Sequence, residues 1–147
     1  LFLSSCGYEA IYSLKNRATY AFQISKLELS GDRQVNLKMK QILSSYSNPN
    51  IAIENGKIFE LKISSNSEKI TTTKNASGDA TKFKNEITLK VQVSMDRTII
   101  SNFLVTEKFI YNNNSNTSEL RSYENQIKNN LTEAAVDKVT SKLALIK

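Results

Sequence analysis

Residues 82–95 alternate between two kinds of side chain. Phe83, Ile87, Leu89, Val91, Val93 and Met95 fall on odd positions, and Lys82, Lys84, Glu86, Thr88, Lys90, Gln92 and Ser94 on even ones. Successive side chains of a β-strand point to opposite faces, so a period of two held this long requires a strand with one buried face and one wet face. Such a strand must sit in a sheet, and its apolar face must be covered by other parts of the chain.

The remaining segments supply both the sheet and the cover. Residues 20–29 alternate with a slip: Phe22 and Ile24 share one phase, Leu27 and Leu29 the other, which predicts a strand with a bulge. Ser30-Gly31-Asp32 is a turn with helix-starting character. Val35, Met39, Ile42, Leu43 and Tyr46 then recur at helical spacing, so 33–46 is an amphipathic helix ended by Ser47-Asn48-Pro49-Asn50. Phe59, Leu61 and Ile63 alternate with Glu60 and Lys62 in a second strand that continues weakly through Ile70 to Thr73. Asn75 to Asp79 is a hairpin turn, 83–95 the third strand, Asp96-Arg97 the next turn and 99–111 the fourth strand. Phe83, Phe103, Phe109 and Tyr111 read as core. After the polar loop Asn112 to Thr117, Thr117 or Ser118 caps a long last helix with Glu119 in its first turn. Its stripe is Leu120, Tyr123, Ile127, Leu131, Ala135, Val139, Leu143 and Ile146. The fold class is therefore α+β: a four-stranded, mostly antiparallel sheet with two amphipathic helices on one face, in the order strand-helix-strand-strand-strand-helix. The other face is polar and open to solvent or a partner.

The N-terminal segment speaks to compartment. Leu3-Ser4-Ser5 runs into the only cysteine, Cys6, followed by Gly7. Leucine, two small residues and cysteine match a bacterial lipobox, whose cysteine receives diacylglycerol and becomes the mature N-terminus. Residues 1–5 then read as the residue of a signal peptide, 6–19 as a lipidated tether and 20–147 as one domain. The competing reading makes Cys6 an ordinary buried thiol at the start of a strand. Tyr8, Tyr12 and Tyr20 lie outside the core pattern and could meet a partner or a membrane interface.

Composition narrows the chemistry. The chain has no histidine and one cysteine, which removes the commonest general base and the means of building a structural zinc site. No glycine-rich phosphate loop or nucleophile motif occurs, and Glu54, Glu60, Glu68, Asp79, Glu86 and Asp96 are scattered. An enzyme is not expected, nor any cofactor beyond a lipid on Cys6. The formal net charge of +6 favours anionic partners. Lys69, Lys74, Lys82, Lys84, Lys90 and Arg97 lie on the hairpin and along the polar face of the third strand. They are either an anion-binding surface or a solvated face whose lysines guard the sheet against edge pairing. The polar face has no interleaved aromatics for stacking bases, so nucleic acid is not an expected partner.

Cys6-Gly7-Tyr8, the element order, the third strand and a last helix running Arg121-Ser122-Tyr123-Glu124-Asn125 to Thr132-Glu133-Ala134-Ala135 resemble the lipopolysaccharide-assembly lipoprotein family, LptE. The resemblance implies a non-enzymatic lipoprotein held at the outer membrane, periplasmic side. It would insert into the β-barrel LptD, assist its assembly and take part in delivering lipopolysaccharide to the cell surface. It also implies that the lysine-rich hairpin contacts lipopolysaccharide phosphates, and Gly7, in place of aspartate, favours outer-membrane sorting. The alternatives are a periplasm-facing lipoprotein scaffold of another envelope complex and a basic nucleic-acid-binding module.

Overall fold

The computed structural model describes residues 20–50, 53 and 56–146. The expectations placed on residues 1–19, including Cys6 and its tether, lie outside them. Strand β1 (Gln23–Gly31) leads into helix α1 (Arg33–Leu43), then a 3-10 turn (Ser44–Ser47), β2 (Ile58–Lys74), β3 (Ala80–Met95), β4 (Thr98–Asn112) and helix α2 (Thr117–Ala144). The sheet order is β1-β2-β3-β4. The β2-β3 and β3-β4 pairs are antiparallel hairpins, whereas β1 and β2 are parallel, joined by the crossover through α1.

The alternation in β3 is realised as expected. Ile87, Leu89, Val91 and Val93 are buried beneath the helices, each contributing about 1.5–3 kcal/mol through removal from water. Phe59, Leu61 and Ile63 of β2 continue the same buried layer, and α2 covers it over β3 and β4 with Ile127, Leu131, Ala135, Val139 and Leu143. Helix α1 packs against α2 and the β1-β2 side through Val35, Met39 and Leu43.

The phase slip in β1 is a bulge between Ile24 and Lys26, which returns Leu27 and Leu29 to the covered face opposite Leu61 and Ile63. β2 runs several residues beyond its apolar alternation because its polar half is held extended by pairing with the first half of β3. The cap of α2 is Asn116, one residue before Thr117 and two before Ser118, the expected caps. Its side-chain oxygen accepts the Glu119 N–H at 3.2 Å, the geometry an N-cap needs, and asparagine provides it as well as serine or threonine. The first helix ends at Leu43 rather than Tyr46, where the backbone tightens into the 3-10 turn.

The β1–α1 junction is tightly constrained. Gly31 has φ +98°, and a Cβ there would lie 1.9 Å from the Ser65 carbonyl oxygen. The Asp32 N–H donates to the buried Ser65 hydroxyl at 2.9 Å, and that hydroxyl donates to Asn36 Oδ1 at 2.7 Å. Asp32 Oδ1 accepts the Val35 N–H at 2.9 Å to cap α1, while Oδ2 pairs with Lys128 of α2 at 2.8 Å. Burial raises the Asp32 pKa, but the bonds from Lys128 and Val35 outweigh it, and the carboxyl titrates below its ordinary range.

Two outcomes follow. Gly31→Ala costs about 3 kcal/mol or more, since both φ and the Ser65 backbone oppose a methyl group; denaturant unfolding reads it. A carboxyl with a depressed folded pKa stabilises above its unfolded pKa, and that contribution is lost as pH falls through the folded value. Asp32→Asn therefore lowers stability at neutral pH and makes the acid branch of the stability curve, below about pH 4, shallower.

Candidate functional site

The face of the sheet away from the helices is built by register. Rows running across the strands are Glu28–Lys62–Gln92–Asn102, then Ser30–Ser64–Lys90–Leu104, then Asn66–Thr88–Thr106, then Glu68–Glu86–Lys108 and, nearer the hairpin tip, Ile70–Lys84–Ile110. The first two rows, apart from Glu28, line a shallow depression of about 460 Å³. Lys62 and Lys90 sit diagonally across β2 and β3, within reach of one another. Among the described residues neither forms an ion pair. Around Lys90 stand the hydroxyls of Ser30 and Ser64 and the amides of Gln92 and Asn102, with Leu104 as an apolar rim. Two ammonium groups with hydroxyl and amide donors beside them form a suitable setting for a phosphate or carboxylate on a larger, partly apolar molecule. Glu60 and Glu28, the latter paired with Lys26 at 3.1 Å, border the Lys62 end.

The six basic residues singled out in the sequence do not converge. Lys82, Lys84 and Lys90 do lie on the open face. Lys84, however, is paired with Glu86 at 3.5 Å, and Lys82 and Lys90 are about 26 Å apart at ~3.3 Å per residue. Lys74 sits beside the hairpin turn, past the bulges at its end. Arg97 lies in the β3-β4 turn, at the far end of β3, about 50 Å from Lys82 by the same rise. Lys69 is on the covered side: its ammonium pairs with Glu124 of α2 at 2.8 Å and lies 4.1 Å from the centre of the Phe83 ring. Glu124 also accepts the Tyr111 hydroxyl at 2.9 Å, and Asn85 Oδ1 lies 3.3 Å from that hydroxyl. Burial first, then the bond to Glu124, raises the Tyr111 pKa. Lys69 thus joins the β2-β3 hairpin to α2. Lys62, which the sequence shows only as a polar position in an alternating strand, takes its importance from the register beside Lys90.

The open face is also less polar than expected. Leu104 and Ile110 of β4 are exposed there at 61% and 56%. Phe109, expected in the core, is 46% exposed although Val105 and Tyr111 of the same strand are buried, because the cover of α2 over this outer strand is left open as a groove at that point. It forms one wall of a groove with Tyr123, Ile127 and Leu131 of α2. Phe83 and Tyr111 are buried as expected, and Phe103 is half-buried beneath Lys142. The free edge of β4 is fifteen residues long, with unpaired backbone groups and apolar side chains on both faces. Lone monomers seldom leave such an edge uncovered. Among the described residues no cluster of His, Cys, Asp and Glu could hold a metal ion, and no helix is long and apolar enough to cross a membrane.

No protein-family model and no curated protein matches this sequence. Solved structures do match in three dimensions. Rare lipoprotein B of Shewanella oneidensis superposes with a TM-score of 0.54 at 12% identity, covering 80% of this chain and 95% of that one. Lipoprotein B of Nitrosomonas europaea gives a TM-score of 0.61 at 9% identity, over 86% and 87% of the two chains. A minor lipoprotein of Acinetobacter baumannii gives 0.56 at 12%, over 82% and 90%. This chain shares the fold of these bacterial lipoproteins. At such low identity the likeness is one of architecture: the strand-helix-strand-strand-strand-helix order and its packing.

Separating the lysines by role predicts separate outcomes. Lys69→Met costs roughly 0.5–1 kcal/mol by leaving Glu124 without its cation, whereas Lys82→Met stays within about 0.5 kcal/mol of the parent in thermal or denaturant unfolding.

Proposed function

We propose that this chain is a non-enzymatic outer-membrane lipoprotein of the LptE type, anchored through Cys6 and facing the periplasm. In this reading it plugs and helps assemble an LptD β-barrel and takes part in moving lipopolysaccharide to the cell surface. The observation that carries the reading is the likeness, over four-fifths or more of the chain, to solved structures of rare, minor and B-type bacterial lipoproteins. Leu3-Ser4-Ser5-Cys6 agrees with it from an independent part of the sequence.

Two surface features support the finer role. The apolar edge of β4, with Leu104, Phe109 and Ile110, suits a domain that rests against the wall of a larger protein. The depression around Lys62 and Lys90 offers paired ammonium groups to a phosphorylated glycolipid. Both are binding features, and a transport component that moves an amphipathic anion needs binding without bond-making.

Co-purification from native membranes tests the role. A large β-barrel protein is expected to be recovered with the chain; recovery of a different envelope complex instead would favour a scaffold. Lys62→Glu with Lys90→Glu is expected to weaken lipopolysaccharide binding about tenfold or more and to flatten its dependence on salt, since two cationic contacts become repulsive. Unchanged binding removes the site while leaving the barrel partnership standing.

A further inference from the structure

One end of the domain collects exposed apolar side chains from three separate elements. Ile58 opens β2, Ile99 and Ile100 follow the β3-β4 turn, and Leu145 follows α2. Register places them together. Ile99 pairs with Ser94, which pairs with Glu60, and Ile58 precedes Glu60 by two residues on the same face. The bulge between Val93 and Ser94 turns Ile99 to the open side. The end of α2 is held to this end by Lys57, whose ammonium donates to the Ile146 carbonyl. Ile99 is 54% exposed and Leu145 79%, so both side chains stand largely in water.

The same end is where the preceding chain enters the domain. Tyr20 is bridged to Ile53, and the Gln23 N–H donates to the Lys57 carbonyl at 2.9 Å. The thirteen residues between Cys6 and Tyr20 let the two lie at most about 50 Å apart when fully extended. The opposite end of the molecule is the hairpin turn Asn75 to Asp79, whose own residues are small or polar; the exposed Ile70 and Ile110 lie short of it, on the open face of the sheet.

We infer that this end is a bilayer-docking surface of the domain while it is not seated in a barrel: Ile58, Ile99, Ile100 and Leu145 enter the interfacial layer of the membrane that holds Cys6, with the β2-β3 hairpin at the end away from the lipid. Lipid is the occupant that the position of the chain's entry favours, because an anchored chain brings this end, rather than the hairpin tip, to the bilayer. The charges here are mixed, Asp96 preceding Arg97 in the turn, so apolar insertion rather than attraction to anionic lipid holds the contact. Docking therefore persists at high salt.

The inference rests on the anchored reading for its tether alone, and the test supplies that tether chemically. The full chain has one cysteine and no tryptophan. Cys6 is coupled to a maleimide-bearing lipid in phosphatidylethanolamine–phosphatidylglycerol vesicles whose acyl chains carry bromine, and single tryptophans are introduced as Ile99→Trp, Leu145→Trp or Ser77→Trp. Emission from positions 99 and 145 is expected to shift to the blue and to be quenched by the bromine, in low and in high salt, while emission from 77 is unchanged from vesicle-free protein. Absence of quenching at both 99 and 145, or equal quenching at 77, overturns the inference. A blue shift at 99 without vesicles overturns it too, and identifies a second copy of the chain as the occupant. Mass analysis of Cys6 from cells is a separate measurement: a free thiol there counts against the proposed anchor and leaves the vesicle result to decide the docking end.

Discussion

The approach of Gly31 to Ser65 is the constraint on which the arrangement of sheet and helices depends. β1 can end against β2, and α1 can start immediately, only if the backbone turns with a positive φ at a point where a Cβ would collide with the Ser65 carbonyl. Once the turn is made, the Ser65 hydroxyl satisfies the Asp32 N–H and binds Asn36, and Asp32 caps α1 while holding Lys128 of α2. A few side chains thus connect β1, α1, β2 and α2. The parallel β1-β2 pair follows, because the crossover through α1 returns the chain to β2 running in the same direction.

With both helices committed to one face, the other face and the β4 edge are left exposed. The two have different chemistry. The first rows of the open face present Lys62 and Lys90 among hydroxyls and amides, whereas β4 presents Leu104, Phe109 and Ile110 at a long unpaired edge. Lys69 shows why basic charge alone was an insufficient guide. It lies within the same hairpin as Lys82 and Lys84, yet its ammonium is bound to Glu124 and rests on Phe83, where it fastens the hairpin to α2.

Strong periodicity made much of the fold legible. The odd positions of β3 are buried because nothing but a covered sheet face accommodates that pattern, and the slip between Ile24 and Leu27 is visible because a bulge must reverse the phase. The polar half of β2 carried only a weak signal, through Ile70 to Thr73; Ser64 to Lys74 is held extended by backbone pairing with β3. The candidate site was legible only in part. Lys90 could be assigned to a wet face, but the diagonal placement of Lys62 beside it depends on register, and Arg97 is carried to the far end by the length of β3. Phe109 had the phase of a core residue and is exposed because the packing of α2 on this outermost strand leaves a groove there.

The sequence by itself determined the elements, their order, the face each must bury and the absence of histidine-based chemistry, because periodicity and composition are local properties of the chain. It also contains Leu3-Ser4-Ser5-Cys6, a local motif that needs no fold to be read. Tertiary structure alone decided the parallel pairing of β1 with β2, the meeting of Lys62 and Lys90, the recruitment of Lys69 to a structural ion pair and the gathering of Ile58, Ile99, Ile100 and Leu145 at one end. These depend on which strands are neighbours and in what register. Such long-range relations are set by how the covered face packs, and residues far apart in sequence carry no local mark of them.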